Sequence, residues 1–166
     1  MTDLCPPRPN TVLVDTLALD DLELGVLSVL RHFLTSFAQP ETQAWTVAFT
    51  VATERWGVAE GPRLAQGVLA VLQALMNCRS SGLRFSNPMC EGCRLRATCD
   101  EAAFMTMLHC MRRDRTAEAR AALAELTFGR MDSTLIQTGL ALASRFPAER
   151  GGAWRTDARM PSAALH

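Results

Sequence analysis

The stretch DLELGVLSVLRHFLTSFAQP, residues 21–40, decides the fold class of this chain. Its apolar side chains recur at three- and four-residue spacing, which is the period of an α-helix. The pattern predicts a first helix that begins near Asp20 and stops at Pro40, because proline cannot continue a helix. The apolar positions that define it are Leu22, Val26, Leu27, Leu30, Phe33, Leu34 and Phe37.

The same helical spacing recurs along the chain, and no long strand-like alternation interrupts it. The length of 166 residues fits one domain, so the sequence predicts an all-α, single-domain bundle of five or six helices with a cysteine-bearing loop. The expected organisation is an extended N-terminal arm over 1–18, a helical metal- or cluster-binding domain over 19–147 and a flexible C-terminal tail over 148–166. The later helices are predicted over 41–56 (ended by Gly57), 62–78 (opened by Pro62), 98–113 (opened by a capping-box pattern of Thr98 and Glu101), 116–128 (ended by Gly129) and 133–146.

Charge is balanced, with 17 basic and 17 acidic side chains. This balance gives no overall basic field for nucleic acid, although residues 79–115 carry seven arginines against four acidic residues. All the basic residues are arginine, and tyrosine is absent, which excludes Schiff-base lysine and tyrosine acid–base chemistry. No phosphate-binding glycine loop, nucleophile elbow or pair of histidines at metal spacing is present, so no catalytic residue is expected.

The N-terminus, MTDLCPPRPN, has neither the charged nor the apolar region of a signal peptide, and no apolar run is long enough to span a bilayer. We therefore expect a cytoplasmic protein with no membrane partner. In that compartment, six cysteines indicate metal binding or redox chemistry in preference to disulfides.

Four of these cysteines form the pattern Cys78-x11-Cys90-x2-Cys93-x5-Cys99. A C-x2-C pair lets two thiolates converge on one centre. Cys99 falls at the start of the predicted fourth helix, where unpaired backbone N–H groups and the helix dipole favour a thiolate. Arg94 and Arg96, with Arg79 and Arg84 further away, are candidates to offset the negative charge of such a site.

The fourth ligand is selected by chain geometry. Cys110 follows Cys99 by eleven residues on one helix, about 16 Å along the axis, which is too far to share a small centre. Cys78 is joined to Cys90 by a loop that closes easily, so Cys78 is the predicted fourth ligand, with Cys5 on the arm as an outside candidate. His109 and His32 are expected to be packed or surface residues.

The segment CEGCRLRATCDEAAF, residues 90–104, resembles the cluster segment of the WhiB-like regulators. The resemblance implies a [4Fe-4S] cluster on Cys78, Cys90, Cys93 and Cys99. It is confined to the cysteine segment, and the tryptophan–glycine turn of that family is replaced here by the arginine-rich residues 112–115. Certain DNA glycosylases and the fumarate–nitrate regulators share the three-cysteine spacing, but the chain lacks a glycosylase lysine and a nucleotide-binding fold.

The sequence therefore predicts a non-enzymatic [4Fe-4S] protein that senses redox state, oxygen, nitric oxide or iron and signals to a protein partner. DNA is a second candidate partner, through a helix-turn-helix formed by the last two helices. A homodimer through the apolar N-terminal helices is also expected. The alternatives are a cluster accessory or electron-transfer protein, and an interaction module stapled by zinc on the same cysteines.

Overall fold

The computed structural model describes residues 9–148. Within them the chain forms six α-helices and a two-stranded sheet, which confirms the predicted all-α bundle. The helices are α1 (Asp21–Ala38), α2 (Ala44–Cys78), α3 (Glu91–Arg94), α4 (Cys99–Met111), α5 (Thr116–Thr127) and α6 (Ser133–Arg145). The strands are β1 (Thr11–Leu13) and β2 (Arg96–Thr98), and 3₁₀ turns occupy Val14–Leu17 and Pro40–Thr42.

Local capping chemistry sets several helix ends where the sequence predicted them. Asp20 and Glu23 form a reciprocal capping box at the start of α1. Thr98 and Glu101 form the predicted capping box at the start of α4. The end of α5 is marked by Phe128, in the left-handed region at φ 55°, before the predicted stop at Gly129.

The region predicted as two helices, 41–56 and 62–78, is α2, whose two helical halves meet at a kink at Gly57, the predicted end of the first half. Gly57 has non-helical dihedral angles, φ 80° and ψ 169°, and the helix resumes at once, so Pro62 lies inside α2. α2 also starts at Ala44, three residues later than the predicted helix, because the 3₁₀ turn Pro40–Thr42 precedes it. A glycine adopts this positive φ without the steric cost paid by other residues, and the break lets the two halves of α2 change direction.

The core lies between α1 and α2, and α4, α5 and α6 cover it. α5 packs mainly against α4, while α6 packs mainly against α2, so the last two helices have different partners. The side chains that α1 buries are covered by other parts of the same chain. The predicted homodimer through the N-terminal helices stays a prediction. In the described part of the chain, no helix combines the length and apolarity needed to cross a membrane. The largest fully buried side chains include Leu30, Phe33, Leu64, Leu72, Leu75, Phe104, Met105 and Met107.

The part of the N-terminal arm that the structure describes is paired with the cysteine segment. β1 and β2 are antiparallel, with Thr11 opposite Thr98 and Leu13 opposite Arg96. Strands of three residues are too short to show the alternation by which a strand is recognised in sequence, which is why neither was predicted. Cys5 and most of the predicted tail, 149–166, lie outside the described residues.

Candidate metal centre

Cys90 and Cys93 lie at the two ends of one tight turn. Cys90 is the N-cap of α3, and its Sγ accepts a hydrogen bond from the backbone N–H of Cys93 at 3.3 Å. The Arg94 N–H donates to the Cys90 carbonyl at 3.0 Å, which closes the turn. Before it, the Asn87 carbonyl accepts from the Cys90 N–H at 3.3 Å. The C-x2-C pair is therefore held on one hydrogen-bonded turn.

Cys99 is the first residue of α4, where the sequence placed it. Its side chain is exposed, and its Sγ–H donates to the carbonyl of Asn10 at 3.3 Å. The first turn of an α-helix presents N–H groups without intrahelical partners and the positive end of the helix dipole. The Cys99 sulfur lies at this helix end and faces the N-terminal arm.

A buried ion pair holds the backbone that carries these cysteines, and the sequence analysis did not identify it. Arg31 of α1 and Glu101 of α4 are 3% and 1% exposed, and Arg31 Nε lies 2.7 Å from Glu101 Oε1. Arg31 also donates to the carbonyls of Arg94 at 3.1 Å and Arg96 at 2.7 Å.

Glu101 completes this network from the other side. Its carboxylate accepts from the N–H groups of Ser86 at 3.1 Å and Thr98 at 2.8 Å. A buried charge is tolerated when it is paired and its hydrogen bonds are satisfied, and both conditions are met here. The one feature of the sequence that could have indicated this buried pair is Arg31 itself, a charged residue within the apolar pattern of the first helix.

The arginines of the segment have structural partners. Arg96 Nε donates to Thr11 Oγ1 at 2.7 Å and its Nη2 to the Thr11 carbonyl at 3.1 Å, so Arg96 ties β2 to β1. Arg79 donates to the Leu126 carbonyl at 2.6 Å, lies 3.4 Å from Asp100 Oδ1 and stacks on the Phe128 ring. Arg94, in contrast, is exposed, and it remains the clearest candidate to offset negative charge at the cysteines.

Cys78, the predicted fourth ligand, is the last residue of α2. Its Sγ–H donates to the Leu75 carbonyl of its own helix at 3.2 Å, and its side chain packs against the hydrophobic core. Burial, and secondarily the negative charge of Asp132, raises the pKa of the Cys78 thiol. Asp132 is the N-cap of α6, so the surroundings of Cys78 include the α5–α6 connection.

Cys110 lies on the same uninterrupted helix as Cys99, as predicted. It is buried, and burial raises the pKa of its thiol. It borders an apolar cavity of about 290 Å³ between α4, α5 and α6, whose lining includes Leu123, Ile136 and Leu140. Its neighbour His109 places Nδ1 2.9 Å from Glu23 Oε2, so this histidine is engaged with α1.

Across residues 9–148, no three His, Cys, Asp or Glu side chains form a group that could hold a metal ion. The donor chemistry of Cys90, Cys93 and Cys99 suits a metal or cluster, but these described residues alone do not form a complete site. No protein-family model, curated protein or solved structure matches the chain. The resemblance to the WhiB-like regulators and the iron–sulfur assignment therefore stay predictions.

Proposed function

We propose that this chain is an iron–sulfur protein that binds a [4Fe-4S] cluster and acts as a regulatory protein responsive to redox state, oxygen, nitric oxide or iron. Cys90, Cys93 and Cys99 would supply three thiolates, and the sequence selects Cys78 for the fourth. The observation that supports the proposal best is the anchoring of this segment. Three cysteines within ten residues lie on a backbone that Arg31 and Glu101 hold at Ser86, Arg94, Arg96 and Thr98.

The chemistry of the segment fits thiolate ligation. The Cys93 N–H already donates to the Cys90 sulfur, and N–H···S hydrogen bonds are one of the levers that tune cluster potentials. Cys99 lies in the first turn of α4, where backbone N–H groups without intrahelical partners could donate to a ligating sulfur. When bound, a cluster supplies iron that changes oxidation state and is open to attack by small oxidants.

The regulatory part of the proposal rests on the β1–β2 pairing. β2 lies between Cys93 and Cys99, so a change at those cysteines acts directly on the strand that holds the N-terminal arm. Release of β1 would expose one edge of β2, and an unpaired edge is a surface to which a partner protein can add a strand. A change in the cluster could thus alter the binding of a protein partner at β2.

The metal content tests the first part. Protein purified without oxygen should be brown, with visible absorption, and should contain about four iron and four acid-labile sulfide per chain. C93S and C99S should lose this iron, while C110S, the matched control, should retain it. Colourless wild-type protein with stoichiometric zinc would refute the cluster and favour the zinc-stapled module.

Hydrogen exchange tests the regulatory part. Removal of the cluster should speed exchange at the Val14 N–H, which donates to the Leu95 carbonyl at 3.0 Å, and at the β1–β2 amides. Amides in the middle of α1 serve as the internal control and should stay protected. Unchanged protection of β1 on cluster loss would contradict the proposed signal.

A further inference from the structure

The last two helices leave a space between them beside the end of α4. α5 packs mainly against α4, whereas α6 packs mainly against α2. α6 comes close to the end of α4 at Gly139, where an added Cβ would lie 2.8 Å from Met111 Sδ. Because α6 meets α4 there while α5 and α6 have different partners, a cavity of about 290 Å³ remains that the side chains do not fill.

The walls of this cavity are mostly apolar. They include Cys110 and Met111 at the end of α4, Leu123 of α5, and Ile136 and Leu140 of α6. Protein interiors are packed as densely as organic crystals, so an unfilled space of this size is unusual in a small domain. An apolar cavity of only about 150 Å³ can hold one benzene molecule. Water gains few hydrogen bonds at such walls, so an apolar molecule would replace it favourably.

The cavity is open to solvent at a mouth that is partly apolar. Met131 and Leu140, which both line it, are 48% and 49% exposed. Large apolar side chains that remain exposed around a concave site are typical of ligand-binding grooves. A ligand can therefore enter without opening the core.

The polar groups of the lining come from one short stretch, residues 114–120. Arg115 pairs with Glu118 at 2.9 Å, and Asp114 and Arg120 add one charge of each sign. The stretch thus has no net charge to attract an ion of either sign. A hydroxyl or carbonyl group can hydrogen-bond to a guanidinium, whereas a charged head group would lose its hydration beside charges of both signs.

We infer that this cavity is a binding site for an uncharged amphiphile, with a hydrocarbon body of about eight to ten carbon atoms and one hydroxyl or carbonyl group. The body lies between α5 and α6, and the polar group lies beside residues 114–120. The site is separate from the proposed cluster site, because its described lining includes none of Cys90, Cys93 and Cys99. The inference therefore does not depend on the iron–sulfur proposal.

Calorimetric titration of the full-length protein tests the ligand class. 1-Octanol is the uncharged probe, and octanoate and octylammonium are charged probes of the same chain length. Octanol should bind saturably at one site per chain, and both charged probes should bind at least about tenfold more weakly. Absence of saturable octanol binding, or a charged probe that binds as tightly as octanol, would overturn the inference.

A variant that fills the cavity tests the location. Ala119 lines the cavity and is 5% exposed, so Ala119→Leu should occupy part of the space and abolish octanol binding. Ala121→Leu makes the same change at an exposed position of α5 outside the lining, and should bind octanol as the wild type does. Equal octanol affinity in the two variants would show that the ligand does not bind here.

Methionine methyl resonances give a readout that does not depend on how the variants fold. Wild-type protein with ¹³C-labelled methionine methyl groups is titrated with octanol. The Met111 and Met131 resonances should shift, because both side chains line the cavity. Met105 and Met107 are fully buried outside this lining and should not shift. Binding that leaves Met111 and Met131 unshifted would overturn the inference.

Discussion

At the scale of single residues, the buried Arg31–Glu101 pair holds the backbone near the cysteines. Two charges have been removed from water, and each is satisfied by several hydrogen bonds to the backbone or to the other. Such a pair adds little net stability compared with a well-packed apolar pair. The pair instead positions the cysteine segment, because it joins α1 to the backbone on both sides of β2.

Glu101→Gln should destabilise the protein strongly, since it leaves the Arg31 guanidinium buried without a counter-charge. Breaking a buried pair from one side costs about 3–5 kcal/mol in unfolding free energy. Urea unfolding followed by circular dichroism measures this. The matched control is Glu60→Gln, which breaks surface pairs with Arg63 and Arg145 whose side chains are 46–60% exposed and should cost about 0–1 kcal/mol. Equal effects for the two variants would show that the buried network is not stabilising.

At the scale of elements, the break in α2 depends on two glycines with different roles. Gly57 supplies the positive φ, and Gly61 lets the second half of α2 approach the first. A Cβ built on Gly61 would lie 2.4 Å from the Ala52 carbonyl oxygen, a backbone atom that cannot move aside easily. The direction of α2, and so the position of Cys78 at its end, depends on this close approach.

Gly61→Ala should therefore lower the unfolding free energy, by about 1–3 kcal/mol as typical for overpacking. Gly82→Ala is the matched control, because Gly82 has no heavy atom within 4 Å of the added Cβ and no positive φ. That control should be neutral or stabilising by up to about 1 kcal/mol. Thermal and urea unfolding of both variants check the difference, and a neutral Gly61→Ala would contradict the described packing.

The β1–β2 pair is the second element whose stability can be isolated. Arg96→Ala removes both side-chain hydrogen bonds to Thr11, so we expect faster hydrogen exchange over residues 11–14 and no change in α1. Arg94→Ala removes an exposed arginine two residues away and serves as the control. If the two variants show the same exchange rates at β1, Arg96 does not hold the arm.

At the scale of the whole molecule, a second charged network joins the start of α1 to the end of α4. Asp20 and Glu23 face Arg112, Arg113 and His109. Arg112 also donates to the Phe146 carbonyl at 2.6 Å, which brings in the end of α6. Burial alone would raise the pKa of Glu23, but hydrogen bonds from the Asp20 N–H, His109 and Arg113 outweigh it and lower that pKa. The pKa of Asp20 is lowered in the same way by its bonds to the Glu23 N–H and Arg112.

Because these folded-state pKa values lie below the unfolded values, the network stabilises the protein above the unfolded carboxyl pKa, about pH 4, and this stability is lost as the pH falls further. Glu23→Gln should lower stability at neutral pH and flatten its dependence on pH in acid. Urea midpoints of the wild type, Glu23→Gln and the half-buried surface control Glu60→Gln between neutral and acidic pH test this. An acid dependence in Glu23→Gln as steep as in the wild type would contradict the role of Glu23.

Local sequence rules were sufficient for most of the helical fold. The start of α1 near Asp20, the capping box at Thr98 and Glu101 and the stop at Gly129 depend on residues within a few positions of each other, and all three were predicted. The break in α2 was only partly predicted. Gly57 identified its position, but Pro62 suggested a separate helix start because the tolerance of proline near a break depends on how the two halves pack.

The cysteine spacing by itself predicted a shared metal or cluster centre, which stays a prediction, whereas the predicted placement of Cys99 and Cys110 on one continuous helix is confirmed by α4. Only the tertiary structure decided what surrounds them. The partners of the cysteine segment are Arg31, some sixty to seventy residues earlier, and Thr11, eighty-five residues before Arg96. Contacts over such separations arise from burial of whole helices and strand pairing, and no local period or spacing in the sequence encodes them.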